Sequence, residues 1–303
     1  FGSWRTRGWE IALDYNHRFK NGLGINAMFT LSDAITEITA YGDTKSLDSW
    51  YVGKQYGEIW GYETERLYQK DDFLYNPDGS FQKVWLKGGE VYDVKTAGAK
   101  EMNKLSDPKA AYQDYLQGGD FVFGPGDVKY KDLNGDGSIN DGSRTTDDHG
   151  DLKKIGNSTP RYEYGFRLGA DYKGFDVSVF FQGVGKREVW GAGFLAIPGY
   201  NSADGAMPQA IAGNFWKEDR TDAFYPRAWN LGAPGLGDSG YSYNMQKQSR
   251  YLLDMSYLRI KNITVGYTLP KDLLKKVWIQ KARIYFALEN FVTWDNLNGL
   301  PID

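Results

Sequence analysis

Long stretches of strictly alternating apolar and polar residues are the feature that most limits how this chain can fold. Successive side chains of a β-strand point to opposite faces, so alternation predicts a strand with one apolar and one polar face. Six such stretches occur, at residues 8–19, 23–39, 160–173, 175–190, 256–269 and 281–294. The second is far longer than the five to six residues or so that are usual in globular proteins. Strands of this length suit a tilted passage across a membrane.

The connections between the predicted strands alternate between short and long. Residues 20–22, which include Asn-Gly, predict a tight type I′ hairpin because both residues tolerate positive φ values, and residues 173–174 predict a second turn. Residues 40–159 and 191–255 lose the alternation and predict long loops. Antiparallel transmembrane barrels are connected in this way, with short periplasmic turns and long extracellular loops. The sequence therefore predicts an all-β chain that forms part of such a barrel.

Shorter elements are predicted between the long strands. Residues 59–68 predict a short strand within the first long loop, and residues 107–117 and 270–278 predict short helices. Leu258 is out of phase with the apolar residues that follow Lys261, and a bulge near Lys261 would restore the phase.

Composition excludes several classes of function. The chain has no run of about 18 apolar residues, so the sequence predicts no transmembrane helix. Its 36 basic and 39 acidic side chains give a net charge of −3, which provides no basic surface for nucleic acid. The lack of cysteine excludes disulfides and thiolate metal sites. The sequence contains no nucleophile elbow, paired-histidine motif or phosphate loop, so we do not expect an enzyme.

An acidic, glycine-rich loop at residues 127–142 has the donor spacing of a calcium loop. Gly137 stands at the sixth position, where such a loop must turn sharply. The candidate metal ligands are Asp132, Asn134, Asp136, Ser138, Asn140 and Asp141. The alternative is a turn in which the Asp and Asn side chains bond only to their own backbone. The sequence therefore predicts either a calcium site or a self-bonded turn.

Four aromatic residues near the second long loop are candidates for binding substrate. They are Trp190, Trp216, Tyr225 and Trp229. An aromatic ring can stack on the apolar face of a sugar ring. The alternative is that these residues belong to the aromatic girdle at the membrane interface or pack within the loops.

Several sequence runs resemble one known family. The run GDVKYKDLNGDGSIND at residues 126–141 is followed by long alternating runs at 156–190, 256–272 and 283–294, and YGEIWGYETERLYQ precedes them at 56–69. In content and order these runs resemble the C-terminal barrel of SusC-like TonB-dependent transporters. The resemblance covers nearly the whole chain.

The resemblance implies a 22-stranded barrel in the outer membrane of a Gram-negative bacterium, surrounded by lipid and with its long loops extracellular. This chain would be its C-terminal part without the final strand, and the plug domain and the TonB-interacting region would lie outside this sequence. A SusD-like surface lipoprotein is the implied partner, and oligosaccharides or, in some members, peptides are the implied cargo. Ser143 stands where many members carry Asp, so a calcium ion in residues 132–143 would be held less tightly.

A second class of protein remains compatible with the residues alone. A secreted, calcium-dependent β-sandwich lectin would also combine an acidic loop with aromatic residues. Strand length distinguishes the two, since sandwich strands of about five to six residues do not need a span such as 23–39.

Overall fold

The computed structural model describes residues 2–118, 121–191, 213–227, 243–275 and 279–297. Fifteen strands and one short helix are found in these ranges, together with single 3₁₀ turns at Lys70–Asp72, Asp114–Leu116 and Ser249–Tyr251. The strands are β1 (Gly2–Arg18), β2 (Gly24–Tyr41), β3 (Glu58–Tyr62), β4 (Thr64–Leu67), β5 (Lys83–Lys87), β6 (Glu90–Tyr92), β7 (Lys100–Asn103), β8 (Val128–Tyr130), β9 (Leu152–Asn157), β10 (Arg161–Tyr172), β11 (Phe175–Lys186), β12 (Glu188–Trp190), β13 (Leu252–Asp254), β14 (Tyr257–Thr268) and β15 (Arg283–Asp295), and the helix is α1 (Lys271–Leu274).

The six longest strands form one antiparallel sheet in the order β1-β2-β10-β11-β14-β15. Because neighbouring strands run in opposite directions, the three short connections meet at one end of the sheet and the two long ones at the other. The predicted all-β, antiparallel architecture is confirmed. One prediction was too simple, since the strand expected at 175–190 is two strands, β11 and β12, and β12 leaves the large sheet to pair with β13.

The two hairpin turns differ from each other. At residues 173–174 both Lys173 (φ 47°) and Gly174 (φ 89°) have positive φ, which is the geometry of a two-residue type I′ turn. Of residues 20–22 only Gly22 has a positive φ, and its N–H donates to the Phe19 carbonyl at 2.9 Å. The type I′ prediction for residues 20–22 is therefore wrong. This turn is a three-residue loop that ends on a left-handed glycine.

The predicted bulge lies where the phase of the sequence changes. Phe180 pairs with Asn262 and Phe181 pairs with Ile260, so Lys261 is an extra residue of β14. The extra residue moves Leu258 and Ile260 onto the face that carries the other apolar side chains. The bulge prediction is confirmed.

The short elements were predicted less well. The single strand expected at 59–68 is two strands, β3 and β4, and residues 107–117 contain only the 3₁₀ turn at Asp114–Leu116 rather than a helix. Tertiary contacts compete with a helix there, because the Gln113 side chain bonds to the backbone of Val128 and Tyr130 in β8. Of the helix predicted at 270–278, α1 forms the first part. None of the helices in the described ranges is long and apolar enough to cross a membrane.

The first long connection is folded rather than irregular. Strands β3 to β9 form three small sheets, β3-β9, β4-β8 and β6-β5-β7. Their side chains, together with residues from 213–227 and 243–251, enclose an apolar core that includes Phe121, Val128, Ile139 and Trp216. We call this unit, residues 42–159 with 213–227 and 243–256, the loop body. It lies at the end of the sheet opposite the short turns.

Candidate functional site

One face of the six-stranded sheet is apolar and exposed. Its large exposed side chains include Trp9, Leu13, Tyr15, Leu168, Phe175, Val265, Ile284 and Phe286. On β10 this face extends from Tyr164 to Tyr172, which is about 26 Å along the strand and about 20 Å of depth at a 40° tilt. Outer-membrane barrels have an outward apolar band of about 25 Å. An uncovered apolar surface of this size is typical of contact with lipid.

The opposite face, which we call the inner face, is polar. A row of four charges crosses it near the short turns: Arg18 bonds to Asp171 at 2.8 Å, and Arg283 bonds to Asp176 at 2.5 Å. Asp171 and Asp176 are register partners on neighbouring strands. We call these four residues the charge row. It spans β1 to β15 and gives the inner face a hydrated, ion-paired surface.

Two glycines make the charge row possible. Each arginine must reach over one intervening strand, and Gly24 of β2 and Gly266 of β14 stand at the crossing points. A Cβ at Gly24 would lie 2.3 Å from Asp171 Oδ1, and a Cβ at Gly266 would lie 2.3 Å from Arg283 Nη2. Because glycine has no side chain, the space above Gly24 and Gly266 is free for the ion pairs.

A buried carboxylate joins distant parts of the loop body. Asp127 is fully buried and accepts hydrogen bonds from Arg227 Nε at 2.8 Å, Asn244 Nδ2 at 2.8 Å and the Gly124 N–H at 2.8 Å. Gly124 belongs to the first long connection, whereas Arg227 and Asn244 belong to the second. A single buried side chain thus ties the two connections into one unit.

The acidic loop folds into a series of self-bonded turns. Asp132 accepts the N–H groups of Gly135 at 2.6 Å and Gly137 at 2.9 Å, and Asp136 accepts the N–H of Ser138 at 2.8 Å. Asn134 accepts the N–H of Asp136 at 2.9 Å. The six candidate ligands are contiguous in this loop, and the side chains of Asp132, Asn134 and Asp136 bond to its backbone. Asp141 pairs with Arg144 at 2.8 Å.

The donor set fits a metal ion only in part. Nowhere in the described ranges are three or more His, Cys, Asp or Glu side chains arranged to hold a metal ion. Ser143 donates its N–H to Asp148 at 2.9 Å. These contacts match the self-bonded turn, and the calcium site stays a prediction.

Asp151 supports the acidic loop and was not identified from the sequence. It is fully buried and accepts the N–H groups of Leu133 at 2.7 Å and Asn140 at 2.9 Å, so it joins the two ends of the loop. Burial raises the pKa of the Asp151 carboxyl against the opposing effect of these hydrogen bonds. No pattern in the sequence marks this role, because Asp151 lies beyond the loop and only the fold brings it back.

The predicted substrate-binding aromatics are mostly interior. Trp216 is buried in the core of the loop body, where its ring lies against Gly126. Tyr225 is fully buried beside Tyr251, and burial raises the pKa of Tyr225 to about 12. Trp190 is half-buried against the same pair, and Trp229 lies outside the described residues. In this conformation neither Trp216 nor Tyr225 offers a ring face to a ligand, which matches the alternative of packing within the loops.

Another aromatic group lies on the inner face and was missed by the sequence predictions. Trp4, Trp50 and Tyr56 line a cavity of about 500 Å³ with Thr6, Thr36 and Ile38. We call this cavity the mouth pocket. It lies at the end of β1 and β2 nearest the loop body. The signal was present in the sequence, since Trp4 falls on the polar phase of the strand, but the predicted strand began at residue 8.

Glu58 fixes the segment that carries Trp50 and Tyr56. Its buried carboxylate accepts hydrogen bonds from the Tyr51 hydroxyl, Lys154 Nζ at 2.9 Å, Trp60 Nε1 at 2.9 Å and the Gln55 N–H at 3.1 Å. Burial opposes ionisation of Glu58, but these hydrogen bonds outweigh it and hold the pKa of the carboxyl below its ordinary value of 4.5. The ionised form of Glu58 therefore stabilises this segment.

Glu58→Gln should destabilise the protein by about 2 kcal/mol at neutral pH, because hydrogen bonds to a charged acceptor are lost. A lowered pKa contributes stability above its ordinary value and loses it as the pH falls. The difference in unfolding free energy between wild type and variant should thus have its maximum value above about pH 4.5 and decrease below it. Thermal unfolding of the intact protein between pH 3 and 8 measures this. The control is Glu101→Gln, at an exposed pair with Lys83, which should change the unfolding free energy little at any pH. A difference for Glu58→Gln that does not vary with pH would contradict the expectation.

Known proteins with similar sequences and folds are receptors and transporters. Comparison with models of protein families finds no match. The chain is 30% identical over 197 residues to TonB-dependent receptor P3 of Formosa agariphila, covering 62% of this chain and 17% of that receptor, and 23% identical over 296 residues to receptor P26 of the same organism, covering 97% and 25%. Among solved structures, the RagAB peptide transporter matches with a TM-score of 0.56 at 18% identity, over 99% of this chain and 27% of that one. The RagAB peptide importer in its open-open state matches with a TM-score of 0.55 at 16% identity, over 99% and 26%. The chain thus spans about a quarter or less of the proteins that it matches, and these relatives are not enzymes.

Proposed function

Because this chain is related to TonB-dependent receptors and has the fold of a segment of their barrel wall, we propose that it forms part of a TonB-dependent importer in the outer membrane of a Gram-negative bacterium. The observation that carries the proposal is the single long-stranded sheet with one exposed apolar face and one ion-paired polar face. The apolar face would contact lipid and the polar face would line the water-filled interior. Energy would come from the TonB complex acting on regions outside this sequence.

The barrel can be tested on the intact protein. A closed outer-membrane barrel resists unfolding by detergent, so the full-length protein should run faster on a gel when unheated than after boiling, and it should fractionate with the outer membrane. A detergent-free soluble monomer would contradict the proposal. A β-sandwich lectin is not favoured, because sandwich sheets pack face to face, whereas the apolar face of the described sheet is uncovered.

We propose a SusD-like surface lipoprotein as the partner of the loop body. The support is that both long connections form one folded unit with its own core at a single end of the sheet, which offers a rigid surface for docking. Affinity purification of the intact transporter from the outer membrane should recover one lipoprotein in equal amount. A transporter that is purified alone under mild detergent, and that imports at the same rate in a strain without that lipoprotein, would contradict the proposal.

For cargo we propose oligosaccharides, with peptides as the alternative within the same class of transporter. The names of the matched structures refer to peptide transport, and that activity is theirs. Uptake distinguishes the two classes: a strain without the transporter should lose import of fluorescent oligosaccharides and keep import of fluorescent peptides, and the full-length gene should restore it. The opposite result assigns peptides.

We propose further that residues 132–140 bind calcium. The support is the donor spacing and the sharp turn at Gly137 (φ 86°). The intact transporter, dialysed and analysed for metals, should contain calcium that Asp136→Asn loses, since this change removes a charged donor. Asp78→Asn is the control, because Asp78 also accepts the N–H of a residue two positions on, at Ser80, in an exposed turn; it should keep its calcium. A wild-type transporter free of calcium would contradict the site.

A further inference from the structure

We propose that the mouth pocket is a binding subsite for one neutral sugar ring of the cargo. The inference rests on the proposed import function and narrows its substrate class.

The register of the sheet places the pocket on the inner face. Trp4 and Thr6 alternate in phase with Glu10, Asp14 and Arg18, which belong to the polar side of β1. Trp4 is the register partner of Ile38, and the hydroxyl groups of Thr6 and Thr36 lie 2.7 Å apart. An aromatic girdle that anchors a barrel in lipid lies on the outward face. Membrane anchoring therefore does not account for Trp4.

The loop body supplies the other side of the pocket. The segment that follows Trp50 pairs with β2 where β10 has not yet begun: the N–H of Ile38 donates to the Lys54 carbonyl, and the N–H of Tyr56 donates to the Thr36 carbonyl, both at 2.9 Å. The rings of Trp50 and Tyr56 are 5.9 Å apart and nearly parallel, at 11°. Backbone pairing to the wall therefore holds these rings in place before any ligand binds.

The rings are exposed although they are large and apolar. Trp4 is 70% exposed and Tyr56 is 58% exposed, whereas Trp216 and Tyr225 of the loop body are buried. Exposing the apolar surface of aromatic rings to water is unfavourable, and a ligand that covers the rings removes this cost. The cavity of about 500 Å³ lies within the roughly 300–1,000 Å³ of small-ligand pockets. It is large enough for a single sugar ring and its neighbouring linkage.

The lining is neutral and rich in hydroxyl groups. Of the ten described residues that line the pocket, none has an acidic, basic or imidazole side chain, and Ser3, Thr6 and Thr36 contribute hydroxyl groups. The Lys54 ammonium lies 5.6 Å from the centroid of the Trp50 ring and donates to the carbonyls of Leu47 at 3.0 Å and Ser49 at 2.6 Å, so these hydrogen bonds hold one cation beside the pocket. A neutral pyranose, with apolar ring faces and hydroxyl edges, matches this lining. Beyond the Lys54 ammonium, which those carbonyls hold, the ten lining residues offer no counter-charge to peptide termini or uronic acids.

Binding to the intact, detergent-purified transporter tests the subsite. The probes are neutral glucan, xylan and mannan oligosaccharides of four to eight units, followed by titration calorimetry. We expect at least one to bind, and Trp50→Ala or Tyr56→Ala to weaken its binding about tenfold, the loss of one stacking interaction of about 1.4 kcal/mol. Trp9→Ala is the matched control, because Trp9 is an exposed tryptophan of the same strand on the outward face; its affinity should be unchanged. Retained gel mobility of the unheated variants shows that they are folded.

Accessibility is tested separately, and this chain contributes no cysteine of its own to the labelling. Tyr56→Cys should react with a maleimide reagent on the intact transporter and be protected by the bound oligosaccharide, whereas Trp9→Cys should not be protected. Failure of every probe to bind, equal affinity of Trp50→Ala and Trp9→Ala, or a Tyr56→Cys thiol that does not react each overturns the subsite. If the cells still import oligosaccharides under those outcomes, the proposed function stands without it. Import of peptides alone overturns the cargo class.

Discussion

Asp127→Ala is expected to unfold the loop body while leaving the six-stranded sheet in place. The substitution removes the acceptor for Arg227, Asn244 and the Gly124 N–H at once and leaves the arginine without its carboxylate. Breaking a buried charge pair by removing one partner costs about 3–5 kcal/mol. Because those donors come from both long connections, the loss should separate the two connections instead of loosening only one turn.

Limited proteolysis of the intact transporter measures this outcome. Cleavage in residues 42–118, 121–159, 213–227 and 243–256 should accelerate strongly in Asp127→Ala, and amide exchange of Val128, whose N–H donates to Asn244 Oδ1 at 2.7 Å, should rise with it. Asp147→Ala is the control, since Asp147 is an exposed partner of Lys45 and such pairs contribute at most about 1 kcal/mol. Equal proteolysis rates in the two variants would show that Asp127 does not hold the connections together.

Gly126→Ala is expected to destabilise the loop body by a second mechanism. Gly126 has a φ of 87°, which any residue with a Cβ adopts only with strain of about 1–3 kcal/mol. In addition, the new Cβ would lie 2.5 Å from Trp216 Cε3, inside the packed core. Overpacking of a core adds about 1–3 kcal/mol. The loss of unfolding free energy in Gly126→Ala should therefore be larger than backbone strain alone would cause.

A second glycine with a similar φ separates the effect of backbone strain from that of steric overlap with Trp216. Gly79 has a φ of 85° and nothing within 4 Å of the position that a Cβ would occupy. Gly79→Ala should therefore show only the strain, and the difference in unfolding free energy between the two variants gives the overlap with Trp216. Thermal unfolding of the intact transporter, together with the fluorescence of its tryptophans, reports both. A Gly126→Ala variant as stable as Gly79→Ala would mean that Trp216 moves aside freely.

The sequence predicted the large sheet well because its signal is local. Alternation over a dozen or more residues averages out single exceptions, and even the bulge at Lys261 left a visible change of phase. The loop body gave no such signal, since β4 to β8 are only three to five residues long. Its core forms from partners far apart in the chain, such as Phe121 and Tyr243, whose rings are 4.4 Å apart. The local periodicity of a sequence does not reveal a contact between residues so far apart in the chain.

The predictions for the candidate site show the same difference between local and long-range signals. The acidic loop was identified because its donor spacing is contiguous in the sequence; the side chains of Asp132 and Asp136 bond to the backbone there, and the calcium site stays a prediction. The aromatic candidates were chosen by residue type alone, and type does not distinguish the buried Trp216 from the exposed Trp50. Neither Trp216 nor Trp50 lies in a strand, so only the fold distinguishes them. Trp4 does lie in β1, and a predicted strand that began before residue 8 would have placed it on the polar face.

The charge row has a consequence for how the strands find their alignment. Each of its ion pairs skips one strand and passes over a glycine, so it fixes three strands relative to one another. If β2 slipped by one residue, Leu23 or Ile25 would replace Gly24 at the crossing point, and the Arg18–Asp171 pair would be blocked. The same holds for β14 at Gly266. The row therefore sets two separate constraints on register, one that only the native alignment of β1, β2 and β10 satisfies and one that only the native alignment of β11, β14 and β15 satisfies.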